Sequence, residues 1–261
     1  GAIDAIAGWP SAAVLTIQNG IGAEDAVVAR RPGGPLIAGS LTAALERDGG
    51  TTVRMTNRGA LGLAPVSAGT ADLLPALAAA FSVGGLPART MTDAASMKWS
   101  KLLTNLVGNA TSAILDLEPH AIYADARLFE VEQGQMLEAL AVMAARRLRP
   151  IALPAADARL LAVAFRLPPA VARRVLARAV GGARGGKWPS LAAHLRSGTG
   201  GPTEARWLNG AVALAGEAAG VATPINRVLA GLVDEAAADP ARRDWYRGRP
   251  DRLLDVLASS A

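Results

Sequence analysis

The sequence predicts a mixed α/β domain followed by an all-α domain. In the first third of the 261 residues, short apolar runs alternate with turn residues, and strand signals vanish after Thr92. The chain beyond Thr92 is rich in alanine and leucine, which favour helices. Aromatic residues make up only 4% of the chain, so aliphatic side chains must build most of the core.

The predicted strands lie in the first domain. Residues 12–18 form a short apolar run that ends at Asn19-Gly20, which is typical of a buried parallel strand followed by a turn. Residues 51–57 alternate in polarity, and we expect residues 59–66 to be their antiparallel partner. The other elements expected in this domain are strands over 35–41 and 88–91 and helices over 22–30 and 71–81.

Only helices are expected in the second domain. We place the domain boundary near Thr92, with residues 1–92 in the first domain and 93–261 in the second, and ligand sites are common at such boundaries. The expected helices cover residues 94–115, 124–148, 155–166, 169–180, 189–196, 203–219 and 226–238, with a short one over 250–258.

Composition excludes several classes of function. The formal net charge of +5 would suit a nucleic-acid partner, but the arginines are scattered and no basic stripe alternates with aromatic residues. With no cysteine and two histidines, no disulfide or metal site is predicted. No apolar run reaches the length of a membrane span, and no secretion signal opens the chain. We therefore expect a cytoplasmic protein without nucleic-acid or membrane partners.

Lys101, Asn105 and Asn109 stand four residues apart within the predicted helix over 94–115. At about 100° per residue they share one helix face. A solvated face would explain such a stripe equally well. Asparagine, however, is disfavoured inside helices, and a lysine can release a proton near neutral pH, which arginine cannot. The stripe is therefore a candidate site that holds a small polar ligand and passes it a proton.

Four other polar residues are candidates, and each has a purely structural alternative. Asn19 ends the first strand, where ligands bind in α/β sheets, but it also fits a plain Asn-Gly turn. Ser190 could simply cap a helix. Glu204 would be stabilised in a first helical turn by the helix dipole, and Asn226 fits a helix start.

Taken together, five motifs resemble those of the ketopantoate reductase (2-dehydropantoate 2-reductase) family, in the family's order and over nearly the whole chain. They are Val-Leu-Thr-Ile-Gln-Asn-Gly-Ile-Gly at 14–22, Trp-Ser-Lys-Leu-Leu-Thr-Asn at 99–105 with Asn109, Trp-Pro-Ser at 188–190, Pro-Thr-Glu at 202–204 with Leu-Asn-Gly at 208–210, and Thr-Pro-Ile-Asn at 223–226.

The resemblance implies NADPH-dependent reduction of a small 2-oxo acid in a cleft between a Rossmann-type domain and a helical domain. The reaction would convert 2-dehydropantoate to pantoate in pantothenate and coenzyme A biosynthesis. The implied roles are general acid for Lys101, substrate binding for Asn105, Asn109 and Ser190, contact with both nicotinamide and substrate for Asn19, and cofactor binding for Glu204.

Two departures from the family pattern accompany this resemblance. The family opens with a Gly-x-Gly-x-x-Gly unit, so about the first 80 residues of a Rossmann domain are expected to be missing and the chain to be an inactive fragment. A further substrate-binding asparagine is replaced near Pro119, which leaves the identity of the substrate open.

The alternative functions are a related NAD(P)-dependent dehydrogenase of another 2-oxo or 3-hydroxy acid, and a non-catalytic helical binding or assembly domain. A homodimer is compatible with either enzyme.

Overall fold

The computed structural model contains two compact units. It describes residues 2–6, 8–9, 11–47, 51–183, 188–198 and 201–260. The first unit comprises Gly1–Leu102 with Arg149–Arg159, and the second comprises Leu103–Leu148 with Leu160–Ala261. The units thus divide later in the chain than the predicted boundary at Thr92, and a short segment returns to the first unit.

The first unit contains the strands of the described chain. Its strands are β1 (Val14–Thr16), β2 (Leu36–Leu41), β3 (Leu45–Arg47), β4 (Val53–Met55), β5 (Leu61–Pro65), β6 (Ala88–Thr90), β7 (Ala152–Leu153) and β8 (Ala156–Asp157). Its helices are α1 (Ala2–Ile6), α2 (Ala23–Arg30), a 3-10 turn over Ala71–Leu73, α3 (Leu74–Val83) and most of α4 (Ala94–Leu106).

A four-stranded sheet in the order β1-β2-β5-β6 forms the centre of this unit. β1 pairs with β2 and β5 with β6 in parallel, whereas β2 and β5 are antiparallel. Successive side chains of a strand point to opposite faces. Ile37 and Leu63 accordingly pack with Leu74 of α3, whereas Ala38 packs on the other face with Met97 of α4. Burial on both faces explains why these strands are continuous apolar runs.

The predicted pairing of the strands near residues 51–57 and 59–66 is wrong. β4 pairs with β3 in a separate hairpin, in which Leu45 faces Met55, while β5 lies in the central sheet. Leu61 and Leu63 are fully buried, whereas the residues of β4 are exposed. The buried run therefore belongs to the sheet that is covered on both faces. The two-residue strands β7 and β8 were not predicted, because they are too short to show a period.

The second unit is helical, as predicted. Among its described residues, the longest helix, α7, packs against several of the others. Short helices at 119–124 and 240–246, both opened by proline, were not predicted. The helices are α5 (Ala110–Leu115), α6 (Pro119–Ala124), α7 (Ala126–Ala145), α8 (Ala158–Phe165, which begins in the first unit), α9 (Pro169–Ala183), α10 (Ser190–Ser197), a 3-10 turn over Glu204–Trp207, α11 (Asn209–Ala219), α12 (Pro224–Ala238), α13 (Pro240–Tyr246) and α14 (Pro250–Ser259).

The helix predicted over residues 94–115 is two helices in the structure. α4 ends at Leu106 and α5 begins at Ala110. Between them Gly108 has a φ of 58°, a left-handed conformation that glycine adopts at little cost. Asn109 therefore lies in a turn and does not continue the helical stripe of Lys101 and Asn105. No helix in the described part of the chain has the length and apolarity needed to cross a bilayer.

Asp93 starts α4 with a capping bond that can be tested. Its Oδ1 accepts from the backbone N–H of Ser96 at 2.9 Å. Burial raises the pKa of Asp93, but hydrogen bonds from Ser96 and Ala95 outweigh this and hold that pKa below its ordinary value. Because the folded-state pKa is lowered, the bond stabilises the protein at neutral pH, and this stabilisation is lost as the pH falls through the folded-state pKa.

We predict that Asp93→Ala lowers the free energy of unfolding by about 1 kcal/mol at neutral pH. The loss should be smaller near pH 3, below the ordinary pKa of 3.8, because the unfolded chain then binds a proton at this carboxyl group and the stabilisation by its lowered folded-state pKa is no longer complete. Urea unfolding followed by circular dichroism at both pH values measures it. Asp25→Ala is the control, since it removes an exposed carboxylate from the first turn of α2, whose N-cap is Gly22. An equal loss in both variants would contradict the capping role.

Candidate active site

Lys101 and Asn105 form the polar face of α4. They are four residues apart in one continuous helix, so their side chains are neighbours on its surface. Both are half-buried, while Trp99, Leu102, Leu103 and Leu106 are buried on the remainder of the helix. α4 thus presents one cation and one carboxamide side by side on an otherwise apolar helix.

Asn109 is held in place by both ends of its amide group. Its Oδ1 accepts from the backbone N–H of Leu191 at 3.0 Å, and its Nδ2 donates to the carbonyl oxygen of Asn105 at 2.9 Å. Nδ2 also lies 3.3 Å from Oγ of Ser190. Only 3% of Asn109 is exposed. Asn109 therefore links the C-terminal end of α4 to the first turn of α10.

Ser190 and Glu204 continue this series of hydrogen bonds. Oγ of Ser190 lies 3.3 Å from Oε2 of Glu204 and donates its proton there. The N-cap of α10 is Pro189, and no side chain caps the helix, so Ser190 does not have the capping role considered above. Both Ser190 and Glu204 are exposed. The structure thus brings three of the predicted site residues together, namely Asn109, Ser190 and Glu204.

Asn19 lies in the first unit, just beyond the carboxyl end of β1. It is exposed, and the next residue, Gly20, has a φ of 81°. The chain thus bends at Asn19-Gly20, at the end of the strand where ligands bind in open α/β sheets. Sequence reasoning did not single out Lys98, which is buried beside this turn and donates to the carbonyl oxygen of Gln18 at 2.7 Å.

Glu132 is a second residue that sequence reasoning missed. It is completely buried in α7, and each carboxylate oxygen accepts two hydrogen bonds. Oε2 accepts from the backbone N–H of Gly108 at 2.6 Å and from Tyr123 at 3.1 Å. Oε1 accepts from Thr111 at 2.6 Å and from Gln135 at 2.9 Å. The carboxylate therefore fixes the turn between α4 and α5 from which Asn109 projects.

Asn226, which was considered as a helix start, belongs to a buried network. Its Nδ2 donates to Oε2 of Glu138 at 2.7 Å, and its Oδ1 accepts from Asn209 at 2.9 Å. Asn226 and Asn209 are both completely buried. These bonds join α12 to α7 and α11 and indicate a structural role. The polar run Glu132-Gln133-Gly134-Gln135 inside an otherwise apolar helix was the signal that could have revealed these buried networks.

Comparisons with known proteins identify the family. The described fold is that of an α/β unit joined to a helical unit with polar residues at the end of β1, on α4 and at the start of α10. The family description "Ketopantoate reductase PanE/ApbA C terminal" matches residues 93–237, and "Ketopantoate reductase PanE/ApbA" matches residues 5–68. The chain belongs to the ketopantoate reductase family, whose members are oxidoreductases. The resemblance found from the sequence is confirmed.

Individual relatives support the same fold. A 2-dehydropantoate 2-reductase of Halobacterium salinarum is 28% identical over 111 residues, which are 42% of this chain and 37% of that protein. The match thus spans little more than a third of that relative. The PanE/ApbA family ketopantoate reductase of Ralstonia eutropha JMP134 is 27% identical with a TM-score of 0.68, over 94% of this chain and 73% of that chain.

A second dehydrogenase shares the fold. D-mandelate dehydrogenase, solved with NADH, has a TM-score of 0.73 and is 21% identical over 94% of this chain and 74% of that chain. At this identity the likeness concerns the fold alone. It agrees with the predicted order of an α/β unit followed by a helical unit.

We predict that Glu132→Gln lowers the free energy of unfolding by about 3 kcal/mol, because an amide nitrogen would face hydrogen-bond donors in a buried site. Chemical denaturation followed by circular dichroism measures the change. Glu130→Gln is the matched control: it is the same substitution two residues earlier in α7, at an exposed position, and should change stability by less than about 0.5 kcal/mol. Similar values for the two variants would show that Glu132 does not hold the turn.

Proposed function

We propose that the protein, when a Gly-x-Gly-x-x-Gly nucleotide-binding unit of the kind expected from the family pattern is joined to it, reduces 2-dehydropantoate to pantoate with NADPH, in the pantothenate and coenzyme A pathway of the cytoplasm. Family membership supports this reaction class. The observation that carries the proposal is the hydrogen-bonded series Asn109–Ser190–Glu204, which begins at the end of the helix that carries Lys101 and Asn105. These ammonium, amide, hydroxyl and carboxylate groups include the hydrogen-bond donors and acceptors that a protein needs in order to bind a 2-oxo acid and protonate it.

The exposed polar groups suit the nicotinamide end of a dinucleotide. Its carboxamide and ribose carry both donors and acceptors, which match the amide of Asn19 and the carboxylate of Glu204. A carboxylate has about four lone-pair positions, so Glu204 can accept further bonds besides that of Ser190. We therefore assign Asn19 and Glu204 to cofactor binding. NADPH, when bound, supplies the hydride for the reaction.

Lys101 is proposed to protonate the carbonyl oxygen of the substrate. As hydride reaches the carbonyl carbon, negative charge develops on this oxygen, and an ammonium group stabilises it before giving up its proton. The carbonyl thereby becomes an alcohol, with one new C–H and one new O–H bond. Lysine suits this role better than arginine, whose guanidinium group does not release a proton in proteins.

The remaining polar residues are proposed to hold the substrate. Asn19 and half-buried Asn105 carry amide N–H donors that can orient an oxo acid. The oxygen of exposed Ser190, whose proton goes to Glu204, can accept a hydrogen bond from a substrate hydroxyl. Asn109, for which we predicted the same role, already uses its amide for Leu191, Asn105 and Ser190. We therefore propose that Asn109 contributes to substrate binding by fixing Ser190.

A related dehydrogenase of another 2-oxo acid is the second candidate. It is favoured by the fold shared with D-mandelate dehydrogenase and by the replacement, near Pro119, of another asparagine that the family resemblance predicts. The two candidates share the chemistry of Lys101 and differ in the side chain of the substrate. Comparison of substrates therefore separates them.

We predict that Lys101→Ala reduces kcat by about 100-fold or more, because proton transfer to the substrate is lost. Lys101→Arg should preserve the positive charge and substrate affinity but not the rate. In the protein with the nucleotide-binding unit joined to it, stopped-flow oxidation of NADPH gives kcat and KM, and fluorescence titration gives the cofactor affinity, which should change little. Arg227→Ala, which removes an exposed cation paired with Glu217, is the control. Wild-type turnover in Lys101→Ala would refute the assignment.

We predict a kcat/KM for 2-dehydropantoate that exceeds those for pyruvate and phenylglyoxylate by at least about tenfold, since a matched polar substrate leaves no site amide unpaired. Initial rates of the purified protein with the nucleotide-binding unit joined to it decide this point. A preference for phenylglyoxylate would favour the second candidate, and no reduction of any oxo acid would favour a non-catalytic binding domain.

A further inference from the structure

Lys98 is a buried lysine that the proposed reaction does not use. It is 6% exposed and lies on α4, one helical turn before Lys101. Its Nζ donates to the carbonyl oxygen of Gln18 at 2.7 Å and pairs with Oε1 of Glu24 at 3.1 Å. The carbonyl oxygen of Gly39 lies 3.5 Å away. A buried charge is costly unless it is paired, so this arrangement requires an explanation.

The partners of Lys98 lie on both sides of one loop. Gln18 directly precedes Asn19, and Glu24 is in the first turn of α2, directly after the loop over residues 19–22. The two contacts of the ammonium group therefore hold both ends of this loop. A third contact strengthens the second end, because Oγ1 of Thr16 donates to the same oxygen of Glu24 at 2.6 Å.

The loop itself needs such support. Gly20 and Gly22 have φ values of 81° and 111°. Glycine adopts positive φ at little cost, but it also has many other backbone conformations available. Gly22 is the N-cap of α2 and provides no side-chain bond to the helix. Fixing its two ends restricts the conformations available to a glycine-containing loop. The contacts of Lys98 with Gln18 and Glu24, called the clamp below, thus hold both ends of the backbone segment that carries Asn19.

Lysine is the cation that fits this place. An ammonium group has three donors around a single nitrogen, and here three acceptors, two carbonyl oxygens and one carboxylate oxygen, surround it. The planar guanidinium of arginine cannot converge on them in this way. Space is also limited: a Cβ added to Gly39 would lie 2.8 Å from the carbonyl oxygen of Thr16. The strands are therefore packed closely where the ammonium group lies.

We propose that Lys98 is a positioning residue for the reaction: it clamps the loop that carries Asn19 onto the helix that carries Lys101. The inference rests on the proposed function, because Asn19 and Lys101 are the residues that would act on cofactor and substrate. The clamp keeps the loop in register with α4. Its loss displaces Asn19 and slows the reaction without removing a group that touches the substrate.

The test compares Lys98→Met with the double variant Lys98→Met/Glu24→Gln. The single change leaves the half-buried carboxylate of Glu24 without its counter-ion, and the second change removes that charge while keeping an oxygen acceptor for Thr16. We expect stability to recover in the double variant while kcat stays about 10- to 100-fold below wild type. Recovery of kcat together with stability would overturn the positioning role. We also expect that kcat falls while KM changes little.

Arg31→Met provides the matched control. Arg31 is another buried cation of this unit and donates to the carbonyl oxygen of Ala12 at 2.8 Å, near the opposite end of β1. Its loss should lower stability but leave kcat unchanged, because that end of β1 is remote from Asn19 in the strand. An equal fall of kcat in Arg31→Met and Lys98→Met would show a merely structural effect and overturn the proposal.

Hydrogen exchange separates this proposal from the proposed function. In Lys98→Met the backbone amides of residues 19–22 should exchange at least about tenfold faster, whereas those of β2 should not. Unchanged exchange in the loop overturns the clamp, whatever the activity. Absence of oxo-acid reduction by the wild-type protein with the nucleotide-binding unit joined to it refutes the proposed function, and faster exchange of the loop in Lys98→Met then still supports the clamp. If Lys98→Met does not fold, Glu24→Gln releases one end, and unchanged exchange at residues 22–24 overturns the clamp.

Discussion

The conformation of the second unit near the candidate site depends on the buried carboxylate of Glu132. Four donors converge on it, and one of them is the backbone N–H of Gly108, in the turn between α4 and α5. Without this acceptor a buried N–H would be unpaired, which costs about 1–3 kcal/mol. The position of the turn determines where Asn109 lies, and Asn109 in turn holds Ser190. One buried charge thus organises the residues proposed to bind the substrate.

Lys98 has a comparable place in the first unit. Like Glu132, it is a buried charged side chain with a backbone partner beside a glycine-containing loop, here the carbonyl oxygen of Gln18, which directly precedes the loop over residues 19–22. Replacing such groups by apolar residues is often neutral for stability, so stability alone does not account for them. In both units the charge instead fixes a loop next to a residue proposed to act in the reaction. In both units the buried charge thus restricts the conformation of a loop, the loop over residues 19–22 in the first and the turn at Gly108 in the second.

Local patterns in the sequence predicted much of the fold. The apolar runs at β1, β2 and β5 and the periodic helices of the second unit were found because each element shows its own period. The pairing of β4 was not found, because register depends on burial, and burial is a property of the whole sheet. The break after Leu106 was missed because apolar periodicity continues through Gly108.

The candidate site was predicted in a similar way. Motif order singled out Asn109, Ser190 and Glu204, which the fold connects by hydrogen bonds although up to 95 positions, 204 minus 109, separate them in the chain. Lys98 and Glu132 were missed because neither belongs to one of these five motifs. Their importance comes from burial and from partners distant in sequence, such as Gln18 and Gly108. Spacing within a single element does not reveal such contacts.

The central claim is that Lys101 donates a proton to the substrate oxygen while the Asn109–Ser190–Glu204 series holds substrate and cofactor. A crystal structure of the protein with NADP⁺ and pantoate tests it most directly. The account predicts that Nζ of Lys101 lies about 3 Å from the hydroxyl oxygen formed in the reaction. It also predicts that Ser190 contacts pantoate and Glu204 contacts the cofactor. A complex in which Lys101 faces bulk solvent, with pantoate bound elsewhere, would contradict it.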